Sequence, residues 1–322
     1  MSKLTSEQKI EIASMKAAGY SSRHIAAKVL GSSSRKSTVN DFLARGESLS
    51  EIKDIPDGIK QPVIKIIDVE TAPEIVYSFR RFKAFISPDQ VIKRGYLLSY
   101  SISDLYTGEV EGKNLTSYPL FDIDHTDDWE LCQDLWQILD DADVVVAHNG
   151  YKFDRAYINQ RFAYHGMKPP STYVVVDTLK AAKKQFALPS NSLKEMGAYF
   201  ETESEKLDNE GFPLWKACCE GDRSAFERMQ TYNDGDVVSL RDLYIKILAW
   251  IPQHPNLSAY YEDENVRCPR CGKDHLEIVP GKFYHTTVST FQVLRCSSCN
   301  SLSRGRINLR NKEKRANTTI GI

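Results

Sequence analysis

No stretch of the 322-residue sequence approaches the ~20 consecutive apolar residues of a membrane-crossing helix, and the opening MSKLTSEQKIEI lacks the apolar run of a secretory signal peptide. A membrane protein and a secreted one are therefore not expected; the chain should stay in the compartment that makes it. Glycine (17) and proline (13) are too sparse for a collagen-like or low-complexity chain. An even set of cysteines is missing too. There are seven, of which four form two CxxC pairs, while Cys132, Cys218 and Cys219 lie in apolar or helical surroundings, so metal binding is expected and a disulfide framework is not. What remains is an ordinary globular balance, 41% hydrophobic and 26% charged, with length for two or three folded units.

A net charge of -1 hides two basic ends: residues 1–47 hold eight Lys or Arg against four acids, residues 267–317 eleven against three, and the rest 23 against 36. Such a chain can grip a polyanion at its ends and gather carboxylates for cations in its centre. Solvated surface charge is the plain alternative.

Five segments follow one another. Residues 1–46 read as three short helices with Ile10, Ala13 and Ala17, then Ile25, Ala26, Val29 and Leu30, then Val39, Phe42 and Leu43 as apolar positions. Ser21 or Ser22 is placed to cap the second helix, Ser37 with Thr38 to open the third, and Gly19 and Gly31 punctuate them. Residues 47–62 read as a linker. From Val63 strands alternate with helices: VIKIID, a hairpin turning at Thr107 and Gly108, DVVVAH and YVVVD, with helical periods over Arg155–His165 and Asp236–Leu248. This predicts an α/β domain with a mixed sheet over 63–255. A cysteine module follows over 266–310, then a basic flexible tail over 311–322.

The carboxylates carry the chemistry. Asp68 and Glu70 end the first strand two residues apart, so both face one side. Asp154 opens a helix after NGYKF, and Tyr232 and Asp236 lie four apart at a predicted helical start. A helix cap is the competing reading of Asp154; Asp234 is the rival of Asp236 but would face another way. Asp177 reads as a cap or substrate-side residue, Phe153 as core. Arg80, Arg81 and Lys83, interleaved with Phe79, Phe82 and Phe85, either hold a single strand or form an amphipathic helix with a solvated basic face.

In that order, IIDVETAP, AHNGYKFDRAYI and TYNDGDVVSLRDLY resemble the three motifs of the DEDD superfamily of 3'-5' exonucleases, on a ribonuclease H-like fold. The Tyr-x3-Asp of the third is similar to the tyrosine branch, and the likeness is closest to phage-encoded members. The resemblance implies Asp68, Glu70, Asp154 and Asp236 as ligands of two Mg²⁺ or Mn²⁺ ions, with Tyr232 orienting the attacking water. Asn149 would touch the terminal nucleotide or hold the loop before Asp154. It further implies hydrolysis of DNA from the 3' end, releasing nucleoside 5'-monophosphates, in the cytoplasm of a bacterial or phage-infected cell and alongside a polymerase or a replication or recombination partner. An exoribonuclease and a catalytically inactive DNA-binding adaptor are the alternatives.

The flanks carry their own signals. AAGYSSRHIAAKVLGSSSRKSTVNDFLARG resembles the helix-turn-helix of recombinases and small repressors, which implies Arg35, Lys36, Ser37 and Asn40 as DNA contacts; a helical bundle docking on a protein is the alternative. Cys268, Cys271, Cys296 and Cys299, two CxxC knuckles 24 residues apart, resemble a zinc ribbon with one structural Zn²⁺. His275 and His285 are possible substitutes. Arg267, Arg270, Lys282, Arg295, Arg304 and Arg306 around the knuckles suit nucleic acid or protein docking.

Overall fold

The computed structural model describes residues 20–44, 61–202 and 210–321, together with positions 4, 5, 8, 11, 12, 15 and 16. The chain divides into two compact units, residues 1–58 and 59–322.

In the first unit, α1 (Ser22–Leu30) is capped by Ser21, whose Oγ accepts the His24 N–H at 3.3 Å. It stops at Gly31, in the left-handed region at φ +73°. A 3₁₀ turn over Ser33–Arg35 runs directly into α2 (Lys36–Ala44), which therefore starts before Ser37. Ile12, Met15, Ile25, Ala26, Leu30, Val39 and Phe42 form the core. Ile10, Ala13, Ala17 and most of the expected linker lie outside the described residues.

The second unit is built on a five-stranded sheet ordered β5-β4-β1-β6-β7. The strands are β1 (Ile64–Thr71), β4 (Leu97–Asp104), β5 (Val110–Asn114), β6 (Val144–Ala147) and β7 (Val174–Asp177); β2 (Ile75–Val76) pairs with β3 (Val91–Lys93) in a separate ribbon. β4 runs antiparallel to both its neighbours, β5 and β1, whereas β6 and β7 run parallel to β1. The expected mixed sheet with flanking helices is present.

Strand parity organises its two faces. Ile67 and Val69 pack with α3 (Trp129–Asp141) and α4 (Asp154–Tyr164) through Leu131, Leu135, Leu139, Ile158 and Phe162. Ile64 and Ile66 face the other way, onto Val237, Leu240, Leu243 and Tyr244 of α8 (Arg223–Ile247). On that second face the partners of Asp68 and Glu70 are Ser101 and Ser99, both fully buried, small enough to admit α8 and polar enough to bond it. Two short helices, α5 (Thr178–Gln185) and α6 (Leu193–Phe200), join this layer through Ala181, Ala182, Leu193 and Met196, while α7 (Phe212–Cys219) packs Leu214 and Cys218 into the cluster of Ile67 and Val69.

α8 begins well before the predicted Asp236. Asp222 caps it by accepting the Ser224 and Ala225 N–H groups, so Tyr232 and Asp236 sit in mid-helix. Buried Asn233, Asp236 and Ser239 interrupt the apolar stripe and conceal the helix's period.

A second sheet, β10-β9-β8, is made of β8 (Leu276–His285), β9 (Thr290–Cys296) and β10 (Leu302–Arg304). It belongs to the same compact unit as the large sheet: the Leu257 N–H bonds the Pro269 carbonyl at 2.9 Å, and Cys271 and Cys299 pack against the cluster containing Tyr244. Where a tail was expected, Asn311 caps a short helix, α9 (Lys312–Ala316). Among the described residues no helix is long and apolar enough to cross a membrane.

Candidate active site and zinc site

Asp68 and Glu70 at the end of β1 and Asp236 on α8 bring carboxylate oxygens within 4.8 Å of one another. The arrangement follows from the fold: the face of β1 that buries Ile64 and Ile66 continues into Asp68 and Glu70, directly under the helix that carries Asp236. Asn233, fully buried one turn before Asp236, donates its Nδ2 to Asp68 Oδ2 at 2.6 Å. Its own Oδ1 accepts the Ser99 hydroxyl at 3.3 Å. Asp234 turns elsewhere, accepting from Ser101 Oγ at 2.5 Å and Gln230 Nε2 at 2.8 Å.

Asp154 stands outside the group of three but against the same strand end. It is 3% exposed, and the Val69 N–H, between Asp68 and Glu70, bonds its carboxylate. Its Oδ2 is buried with no hydrogen-bond partner. Burial pushes its acid up to about 7; bonds from its own and the Val69 backbone oppose the rise, and the charge of Asp177 adds to it. Phe153, not Asp154, holds the N-cap position of α4.

Asp177 is a cap. It accepts the Lys180 N–H at the start of α5 and the Asn149 and Tyr151 N–H groups, at 2.9, 3.2 and 3.3 Å. The Asn149 backbone thus helps hold the loop before Asp154. Asn149 itself adopts φ +72°, and a Cβ on Gly150 would lie 2.5 Å from the Ala147 Cβ, so glycine is required there. Phe153, expected in the core, is 43% exposed, as is Tyr151. The α4 helix turns its buried face through Ile158 and Phe162, leaving both aromatics on the rim.

Tyr232 is buried on α8, its ring meeting Trp215 edge-on at 6.3 Å. Trp215 and Phe212, the latter 67% exposed, line an open cavity of about 330 Å³ with Thr71 and Pro73. Sequence reading missed both aromatics, and Asn233 too. GFPLW, with Gly211 at φ +73° and proline in the first turn, is the only local signal.

Arg35 is half-buried, and Lys36, Ser37 and Asn40 are exposed around the start of α2. Arg80 and Arg81 lie in an exposed stretch without regular structure, so the amphipathic-helix alternative for residues 79–85 does not hold.

The four thiols of Cys268, Cys271, Cys296 and Cys299 also converge within 4.8 Å. Sγ separations of 3.6 Å for Cys268–Cys299 and for Cys271–Cys296 are far beyond the ~2.05 Å of a disulfide. They match the ~3.8 Å edge of a tetrahedron with Zn–S bonds of about 2.3 Å. The Cys271 thiol, the Ser301 hydroxyl and backbone N–H groups hold Cys268 well below the usual thiol range. His275 and His285 bond Ser298 and Thr290 instead. The cluster fits a zinc module.

A third group, Asp128, Cys132 and His165, is a buried brace. Asp128 accepts from Arg161 Nε and Nη2 at 2.8 and 2.7 Å and from the Leu97 N–H at 2.8 Å, and lies 2.6 Å from His165 Nε2, which ties α3, α4 and β4 together. Its charge is already matched by a guanidinium.

A family model of the RNase H superfamily matches residues 100–248. Those residues, fewer than half of the chain, are similar to domains of that superfamily. The match begins inside β4, so Asp68 and Glu70 precede it while Asp154, Tyr232 and Asp236 fall within it. No curated protein matches the chain. Among 101 matching chains of solved structures is the family B DNA polymerase from the hyperthermophilic archaeon Pyrobaculum calidifontis, with 16% identity and a TM-score of 0.43. That alignment covers 59% of this chain and 25% of the polymerase, so the chain spans about a quarter of that protein's length.

Proposed function

We propose that the chain is a metal-dependent 3'-5' exonuclease that removes nucleoside 5'-monophosphates from DNA, preferring single-stranded or frayed ends. The observation carrying this is the convergence of Asp68, Glu70 and Asp236 beside Asp154, whose buried Oδ2 lacks a partner. An orphaned acceptor in a cluster of hard oxygen donors is the local chemistry of a Mg²⁺ or Mn²⁺ site. Asp68, Glu70, Asp154 and Asp236 would hold two such ions, which supply a nucleophilic water at neutral pH and charge compensation for the leaving 3'-oxygen.

The chain's own residues do the rest. Asn233 fixes the Asp68 carboxylate, and Ser99 fixes Asn233. Tyr232, one turn before Asp236, orients the water by a hydrogen bond; a phenol, with its pKa near ~10, does not act as the base. Phe212 and Trp215 offer flat faces to the terminal base beside Thr71. Arg80 and Arg81 hold phosphates of the incoming strand, and Asn149 flanks the last nucleotide.

The helix-turn-helix, through Arg35, Lys36, Ser37 and Asn40, and the zinc ribbon, through its arginines, add affinity for DNA that falls steeply with salt. The chain would serve a replication or recombination partner in the cytoplasm.

The test is incubation of the purified protein with DNA and RNA oligonucleotides in Mg²⁺, Mn²⁺ or EDTA, with products resolved by chromatography. Mononucleotides that disappear in EDTA are expected, with DNA consumed faster. Intact substrates under every condition would leave a binding protein.

A further inference from the structure

Between β2 and β3 the chain makes a fourteen-residue excursion, 77–90, whose side chains from Tyr77 to Phe85 are all exposed. Its base is clamped: the Tyr77 N–H bonds the Gln90 carbonyl and Gln90 Nε2 bonds the Tyr77 carbonyl, both at 2.9 Å. Ser87 N–H closes the far end on Gln90 Oε1 at 2.9 Å. From Ser78 to Ile86 there is neither helix nor strand, a 3₁₀ turn over Pro88–Gln90 follows, and Lys83 turns the chain at φ +48°.

The aromatic side chains all point outward. Tyr77 is 75% exposed, Phe79 102%, Phe82 85% and Phe85 88%. A stretch of this kind buries nothing on folding, and exposed apolar patches mark interaction sites. Arg80, Arg81 and Lys83 alternate with the rings, no acid occurs from Ile75 to Pro88, and none of the three cations makes an ion pair among the described residues.

The pattern selects the occupant. Arginine and aromatic rings also occur together at protein interfaces, but three cations without a single acid from Ile75 to Pro88 call for a partner that carries a row of negative charge. A ligand offering flat apolar faces and a regular row of negative charges satisfies both sets at once, and single-stranded polynucleotide does so; in a duplex the base faces are hidden. The position agrees: the excursion leaves the sheet just after Glu70 and Thr71, and Pro73 lies on the rim of the cavity formed by Phe212 and Trp215.

We infer that residues 77–87 form a second, non-catalytic binding site for a single-stranded polynucleotide. Bases stack on Phe79, Phe82 and Phe85, and Arg80, Arg81 and Lys83 take the phosphates. Only the further role of delivering a 3' end to the carboxylates rests on the proposed exonuclease.

The full-length protein and two variants, Phe79→Ala/Phe82→Ala/Phe85→Ala and Arg80→Gln/Arg81→Gln/Lys83→Gln, would be compared by fluorescence anisotropy in EDTA with labelled dT20, labelled rU20 and a blunt duplex. Because the substituted side chains are exposed, both variants should fold, which circular dichroism checks. The phenylalanine variant should bind single strands at least about 100-fold more weakly while duplex binding stays within about twofold. The cation variant should bind single strands with a shallower salt dependence. Loss with dT20, rU20 or both supports the site and identifies its sugar. Unchanged single-strand binding, or an equal loss with the duplex, overturns it, as does a change in sedimentation that reveals a second copy seated on the segment. Hydrolysis of thymidine 5'-monophosphate p-nitrophenyl ester, too small to reach the segment, reads the carboxylate site separately: its absence in the wild type sinks the nuclease reading alone.

Discussion

Replacing Asp154 by Asn should stabilise the metal-free protein at pH 8 and much less at pH 5. Asp154 is 3% exposed, and its acid rises from 3.8 to about 7 in the folded chain. A carboxyl group with a raised folded pKa binds more protons folded than unfolded between those values, so its contribution to stability falls as pH rises through that window. At ~1.36 kcal/mol per pH unit the full cost at pH 8 is about 4 kcal/mol, of which under about 2 kcal/mol remains at pH 5. Asparagine carries no charge but places an amide donor in the pocket of the unpartnered Oδ2, which costs ~1–3 kcal/mol at either pH. That cost cancels when the two pH values are compared. The stability difference between variant and wild type should therefore shift by ~2–3 kcal/mol in the variant's favour from pH 5 to pH 8, measured by urea unfolding in EDTA. Saturating Mn²⁺ should reverse the order at pH 8, because only the carboxylate gains a cation. A difference independent of pH, or one that shrinks toward pH 8, would refute the reasoning.

Three further outcomes are expected. Tyr232→Phe should lower kcat on DNA about 10- to 100-fold with little change in Mn²⁺ affinity by titration calorimetry, since in the proposed mechanism the hydroxyl positions water and holds no ion; unchanged turnover removes that role. Asn233→Ala frees the Asp68 carboxylate from its 2.6 Å bond and should weaken both metal affinity and turnover about 10-fold or more; normal calorimetry and rates would make the contact incidental. The purified chain should carry one zinc ion by elemental analysis, and Cys271→Ser should lose it and open residues 266–310 to trypsin, with the large sheet intact; a metal-free wild type of equal resistance contradicts this.

Much of the fold was legible because short-range rules set it. The apolar run VIKIID predicted a strand, the two-residue spacing of Asp68 and Glu70 put both carboxylates on one side, and in the structure that side lies against α8. The turn at Gly108 follows from its left-handed conformation, and the two CxxC knuckles announced the thiol cluster by spacing alone. Long-range packing hid the rest. α8 starts at Arg223 because Asp222 caps it, but Asn233, Asp236 and Ser239, buried under a strand of serines, break the stripe that would have revealed it. Phe153 read as core because it is a large apolar ring, whereas the turn into α4 leaves it outside. Phe212, Trp215 and Asn233 reach the site only through the crossing of α7, α8 and β1, which no local pattern encodes.

The most direct test uses a single-stranded DNA bearing a 5' fluorophore and a radiolabelled 3'-terminal nucleotide, incubated with wild type and with Asp236→Asn in Mg²⁺. The account predicts release of the 3' label as a mononucleotide before the 5'-labelled strand shortens stepwise, and no release by the variant. Internal cuts, release of the 5' end first, or an Asp236→Asn variant as fast as wild type would contradict it.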